Sequence, residues 1–242
     1  MHDGDLGTIL GVWGHPDDEA YLSGGLMAAA VDAGRRAVCV TATRGEAGFP
    51  DDDPRTIDER AAIRERELAA SLEILGVVEH RWLDYADGRC HLVDVAEPVA
   101  AIRAIIEEVR PDTVLTFGPD GMTYHDDHIA VGRWTTLAFR DAAVPGMQLL
   151  YATKSQGWLE GFVDIVDPGR VMMVEGSEPP WTDAEEIAVH YVLDEGQLDR
   201  KVRALKAQAT QVGTLLDQIG EDGFGAFNRD EFYRRPGPAD WP

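Results

Sequence analysis

The stretch Thr8-Ile-Leu-Gly-Val-Trp-Gly-His15-Pro-Asp17-Asp18-Glu19 constrains this chain more than any other. Ile9, Leu10 and Val12 make an apolar run long enough for a buried strand and too short for a helix. Gly14 breaks the run, and Pro16, lacking an N–H, cannot continue a central strand. Pro16 does suit the first turn of a helix, where Asp17, Asp18 and Glu19 put negative charge at the favourable end of the dipole. The pattern predicts a helix over Ala20–Ala30. A histidine and three carboxylates therefore stand at a strand-to-helix junction, the ligand-binding edge of an open α/β sheet.

The remaining chain repeats this alternation. Ala37–Thr43 reads as a second strand, closed by the loop Arg44-Gly-Glu46-Ala-Gly48. Ile57–Leu75 reads as an amphipathic helix, with Ala61, Leu68, Leu72 and Leu75 at helical spacing and Gly76 as its stop. A strand over Val77–Leu83, a helix over Val93–Val109, a strand over Pro111–Phe117 and a helix to about Arg140 follow, and Gln148–Ala152 is a fifth strand. The sum is one α/β domain over residues 1–242, a Rossmann-like layered αβα architecture with a mostly parallel sheet. From Ser155 to about Trp181 Pro and Gly scatter through the pattern. Residues of about 155–186 are expected to make an excursion over the active-site face, with a short strand near Val171–Val174. Leu193–Ile219 reads as one last long helix, and Phe224–Pro242 as an aromatic, polar tail.

Composition excludes several classes. A net charge of -22 argues against a nucleic-acid partner, since phosphate contacts need a basic surface. No apolar run reaches membrane-spanning length, and no basic segment precedes an apolar one near Met1, so the expected setting is cytoplasmic with no integral membrane segment. Cys39 and Cys90 lack CxxC spacing and read as structural. The chain has neither GxGxxG nor GxxxxGK[ST]. Homo-oligomerisation stays open.

A second cluster, Thr123-Tyr124-His125-Asp126-Asp127-His128, follows the fourth strand and opens a helix. His15 follows the first strand, and in a doubly wound sheet two such strand ends converge on one cleft. His15, Asp18 and His128 would supply two imidazoles and a carboxylate, the three-ligand set of a catalytic zinc with a position left for water. Asp17 would remain free as a base beside it.

Gly14-His-Pro-Asp-Asp-Glu19 and His125-Asp-Asp-His128 resemble the two signatures of the PIG-L/LmbE-like zinc-dependent N-deacetylase superfamily. Arg44–Gly48 resembles its Gly-Glu loop, Arg64-x-x-Glu67 with Leu75-Gly-Val77 its second helix and next strand, and Glu231-x-Tyr233 its C-terminal acidic-aromatic segment. The resemblance implies a Zn2+ hydrolase that removes an acetyl group from an N-acetylglucosamine-type amino sugar or its conjugate. It implies His15, Asp18 and His128 as metal ligands, and Asp17 as general base. His125 would be the residue at the oxyanion or leaving amine, with Asp127 orienting it and keeping it protonated to higher pH than a free imidazole. Arg64, Asp87 and Glu46 match substrate-side positions. Gln208-x-x-Gln211 replaces the His-x-x-Gln of many relatives, a departure that bears on the substrate. Three other readings fit the same residues: an amidase for a sugar-linked thiol conjugate, a non-catalytic sugar-binding homologue, and a 2-His-1-carboxylate iron(II) oxygenase.

Overall fold

The computed structural model describes residues 6–162, 166 and 171–241. Its first half alternates as the hydrophobic pattern demands: β1 (Ile9–Trp13), α1 (Asp18–Asp32), β2 (Ala37–Thr43), α2 (Ile57–Leu75), β3 (Glu79–Tyr85), α3 (Ala96–Val109), β4 (Thr113–Phe117) and α4 (Asp126–Ala142). Beyond these come β5 (Gln148–Thr153), α5 (Gln156–Phe162), β6 (Ile187–Val192), α6 (Glu195–Ala207), α7 (Ala209–Asn228) and β7 (Asp230–Arg234). The strands form one sheet in the order β3-β2-β1-β4-β5-β7-β6, parallel from β3 through β5.

Every residue of β1, β2 and β4 is buried. That is why they read as unbroken apolar runs: helices cover a parallel sheet on both faces. After β3 the chain crosses back so that β4 pairs with β1, and the strand order reverses between those two strands. Their carboxyl ends therefore open a crevice at the switch point. Thr56 and Glu59 close a capping box at the start of α2, and Gly76 ends it in the left-handed conformation, φ 80°. Gly serves there because a Cβ would strain that backbone.

The second half departs from expectation. β6 and β7 pair antiparallel at the edge beyond β5, and β7 lies within the stretch expected as an aromatic, polar tail. β7 hides because its sequence, Asp-Glu-Phe-Tyr-Arg, is mostly polar. Glu231 is nonetheless 1% exposed, paired with the buried Lys201 at 2.7 Å. Residues 171–174 are turns and bends, so the short strand near Val171–Val174 does not form. The helix expected over Leu193–Ile219 is two helices, broken at Gln208 because its side chain turns inward to Glu19, Nε2 donating to Oε1 at 2.7 Å.

β7 also fixes α1. Glu231 accepts the backbone N–H of Gly25 (2.7 Å) and Leu26 (2.9 Å). Lys201 donates to Tyr21 O at 2.9 Å, and the Tyr233 hydroxyl to Leu22 O at 2.7 Å. The middle of α1 is thus held by side chains of two distant elements. Gly25 is required at that contact, since a Cβ would lie 2.8 Å from Leu193. No helix among the described residues is long and apolar enough to cross a membrane.

Candidate active site

The loops after β1 and β4 meet at the crevice. Gly14 lets them close up, for a Cβ there would lie 3.0 Å from the His128 ring. Asp17 caps α1 at φ 105°, a conformation disfavoured for any residue but glycine. Met122 and Tyr124 after β4 are also left-handed, at φ 66° and 59°. Strain gathered at two facing loops persists only where surrounding bonds over-determine it.

Those bonds fix the histidine tautomers. His128 Nδ1 lies 2.9 Å from Gly121 O, an acceptor only, so the proton sits on Nδ1 and Nε2 is bare. His15 Nε2 faces Asp87 Oδ1 at 3.0 Å and Asp127 Oδ2 at 3.3 Å, so Nε2 is its protonated atom. The free corners of the two rings, His15 Nδ1 and His128 Nε2, then confront each other at 3.0 Å. Asp18 stands beside both, 3.4 Å from His128 Nε2 and 3.7 Å from His15 Nδ1. Asp18 Oδ2 also accepts the backbone N–H groups of Gly14 and His15.

The charges follow. Burial alone would lower the pKa of His15, but Asp127, Asp18 and Asp87 outweigh it and raise it well above the ordinary value. Burial pushes His128 down to about 4. Asp18 is buried too, yet His128 and His15 hold it below the usual carboxylate range. Without a metal, the arrangement is an imidazolium of His15 donating Nδ1–H to His128.

Two other groupings bring one donor atom per residue within 4.8 Å of one another: His15 with His125 and His128, and His15 with Asp87 and Asp127. In the second, both carboxylates lie on the outer nitrogen of His15, where they orient the ring. Ligands about 2.0–2.1 Å from a tetrahedral zinc lie roughly 3.3–3.4 Å apart. The His15–Asp18–His128 spacings bracket that value, and the donor set fits a divalent ion.

Asp17 lies beside the trio. Burial lifts its carboxyl to about 7, against the opposing charge of Arg64. Glu19, fully buried, accepts the Asp17 N–H at 2.9 Å and hydrogen bonds from Ser71 and Gln208. Burial raises Glu19 to about 8, so it is protonated at neutral pH.

The expected roles of two residues shift with their positions. Asp127 does not orient His125: its carboxylate turns to His15 and accepts the backbone N–H of Gly88 and Cys90. His125 instead caps α4, its Nδ1 accepting the Asp127 N–H at 3.1 Å. The neutral ring therefore carries its proton on Nε2. Burial and the nearby His15 charge lower the His125 pKa, the reverse of the expected rise.

The residues matched to substrate positions are engaged with protein. Arg64 is 2% exposed, and its guanidinium reaches Pro16 O, Gly45 O and Asp17. Asp87 binds His15 and accepts the Ala47 N–H. Glu46 accepts the Asp87 N–H through Oε1, while its buried Oε2 has no hydrogen-bond partner among the described residues. Glu19 and Gln208, by contrast, support Asp17 without having stood among the site candidates. Their signal was weak: an acid that also suits a helix N-terminus, and a glutamine inside a helical pattern.

A cavity of about 740 Å3 opens from the crevice. Its lining includes Asp17, Asp18 and His128, described residues between Gln156 and Trp181, and Leu215 and Phe227.

Known proteins resemble this chain along most of its length. A profile described as PIG-L, GlcNAc-PI de-N-acetylase, matches residues 10–139. A 1D-myo-inositol 2-acetamido-2-deoxy-alpha-D-glucopyranoside deacetylase of Kineococcus radiotolerans is 33% identical over 86% of this chain and 70% of its own. Among solved structures, the A40926 pseudoaglycone deacetylase Dbv21 is 23% identical, with a TM-score of 0.67 over 96% of this chain and 97% of that one. The 4-carboxy-2-hydroxymuconate hydratase GalB of Pseudomonas putida KT2440 is 16% identical, with a TM-score of 0.65 over 96% and 97%. At such identities the two structures speak for the fold alone, and the second hosts a different reaction on it.

Proposed function

This chain belongs to the PIG-L family, GlcNAc-PI de-N-acetylase, and from that premise we propose that it is a metal-dependent hydrolase releasing acetate from an N-acetylglucosamine-type sugar or its conjugate. One observation carries the metal reading. The outer partners of His15 and His128 set the tautomers so that two ring nitrogens meet at 3.0 Å beside an ionised carboxylate. A cation in place of the His15 proton satisfies all three donors. His15, Asp18 and His128 are the proposed ligands, and two imidazoles with a carboxylate suit zinc.

A zinc ion there would supply Lewis acidity toward the amide carbonyl and lower the pKa of a bound water to about 7. Asp17, outside the ligand trio, takes the proton of the attacking water and returns it to the leaving amine. Arg64 and Glu19 hold Asp17 in its strained position. His125, neutral, offers Nε2–H to the carbonyl oxygen as it gains charge. Asp87 and Asp127 orient His15, and Glu46 steadies Asp87 through its backbone. Acetate and a free amino sugar leave.

The test is primary-amine release across a panel of N-acetylglucosaminyl conjugates, with metal content measured alongside. Release that needs bound metal, and disappears with it in Asp18→Ala and His128→Ala, is the expected result. Full metal loading without amine release from any conjugate would overturn the reading. Oxygen uptake in the same assay would instead point to an iron oxygenase.

A further inference from the structure

The cavity beyond the crevice is walled mainly by apolar side chains. Leu159, Phe162, Leu215 and Phe227 are part of its lining. Met173 and Trp181, also in its lining, are 59% and 46% exposed. Polar side chains enter the same lining, Gln156, Glu160, Glu178 and Gln211 among them, but hydroxyls pressed against its apolar stretch would lose water without gaining partners. Apolar side chains left in water around one opening mark a surface that something apolar covers. A monosaccharide is small for about 740 Å3, a size within the roughly 300–1,000 Å3 of pockets that hold larger ligands.

Among the described residues of the lining, Lys154 is the one lysine or arginine. Lys154 follows β5, next to β4 in the sheet, so it shares the crevice edge with His128. Its Nζ sits 4.1 Å over the Trp158 ring, which packs against Phe162 and Phe227 with ring centroids 4.7 Å away in each case. Its hydrogen bond to protein is a long one, 3.5 Å to Asp230 O. Among the described residues no carboxylate lies within ion-pair distance of it. Burial lowers its pKa to about 7, the expected effect on an ammonium that has lost water without gaining a counter-ion. Among the described residues no arginine or second lysine lines the cavity. The match is therefore a single carboxylate, because a phosphate dianion would keep charge unpaired.

We infer that this cavity is an aglycone pouch, taking a sugar conjugate whose second half is apolar and ends in a carboxylate placed at Lys154. The inference rests on the deacetylase reading for the identity of the sugar half. It separates this chain from relatives named for an inositol glycoside, whose aglycone is a polyol.

The experiment is calorimetric binding to the metal-free protein, which needs no turnover. The probes are α-glycosides of N-acetylglucosamine bearing myo-inositol, ω-carboxyalkyl chains of graded length, and the methyl esters of those chains. The alkyl glycosides are expected to bind at least about tenfold tighter than the inositol glycoside. At one chain length the acid should exceed its ester by about tenfold or more. Lys154→Met should bring the acid down to its ester, and Lys154→Arg, keeping the charge, should preserve the preference. Inositol glycoside binding as tight as the alkyl series overturns the pouch. So does an acid preference that is missing from the wild type or that survives Lys154→Met. Amine release from the same probes by the metal-loaded enzyme is scored separately. Its absence throughout would sink the deacetylase reading while the binding order still decides the pouch.

Discussion

The crevice and the pouch share one opening but are held by different forces. In the crevice nearly every polar atom is spoken for: Asp18 by two backbone N–H groups, Asp127 by two more, His128 by Gly121 O, Asp17 by Glu19 and Arg64. In the pouch Leu, Met, Phe and Trp side chains pack without directional bonds, and several stay half exposed. Directional bonds in a low-dielectric site fix atoms to the tolerance that chemistry needs. Apolar packing fixes only volume, and volume is what changes when a substrate changes. The fold thus keeps reaction and selectivity in separate materials.

Substitutions can test that division, beginning with the largest effect. Asp17→Asn should lower kcat by about 10²–10⁴ with metal content unchanged, because Asp17 lies outside the ligand trio. Near-normal turnover by the metal-loaded variant would move the base elsewhere, with Glu46 next to be tried. His125→Ala should cost about 10²–10³ in kcat while leaving the shape of the pH–rate profile intact, since the ring is already neutral and only its Nε2–H is lost. A lost basic limb would show that His125 works as an acid after all.

The support of the crevice should be nearly as sensitive in stability. Lys201→Met leaves Glu231 buried without its partner and should cost about 3–5 kcal/mol in denaturant unfolding. A loss under about 1 kcal/mol would mean that the pair does not brace α1. Pouch changes should be milder. Trp158→Ala is expected to raise KM for apolar conjugates by about tenfold with kcat retained; an equal fall in kcat would erase the division between the two regions.

The division also shows in the pH dependence of stability. Between about pH 7 and 10.5 the unfolded chain binds a proton at Lys154 that the folded chain releases. Stability therefore rises with pH through that window, and the cost of burying the ammonium is fully present below it. Denaturation midpoints of Lys154→Met should lose that slope. An unchanged slope would place its origin in other groups.

Legibility in the sequence followed burial. β1, β2 and β4 are covered on both faces, and their apolar runs announced them; the glycine and proline after β1 announced the turn to α1. β6 lies at an antiparallel edge, where polar residues break the run, and β7 beside it is buried through its centre yet carries mostly polar residues. Glu231 is opaque because a buried carboxylate becomes intelligible only once Lys201 is seen beside it. At the site, residue types and spacing brought His15, Asp18 and His128 together. They did not reveal that Asp127 serves His15 and not His125, since that depends on which way one carboxylate turns. Nor did they separate Arg64 as a bracket for Asp17 from a group facing ligand.

The grip of Glu231 on α1 has a kinetic side. The Gly25–Glu231 hydrogen bond spans 206 positions of sequence, so the middle of an early helix waits on one of the last strands to be synthesised. Contacts at such separation form late, because loop closure must precede any return from them. In pulse-labelled hydrogen exchange, the amides of Gly25 and Leu26 should gain protection together with β7, after those of β1 and β2. Until then the first turn of α1, with Asp17 and Asp18 on it, sits on an unbraced helix, and a refolding chain acquires competence for catalysis only when β7 docks.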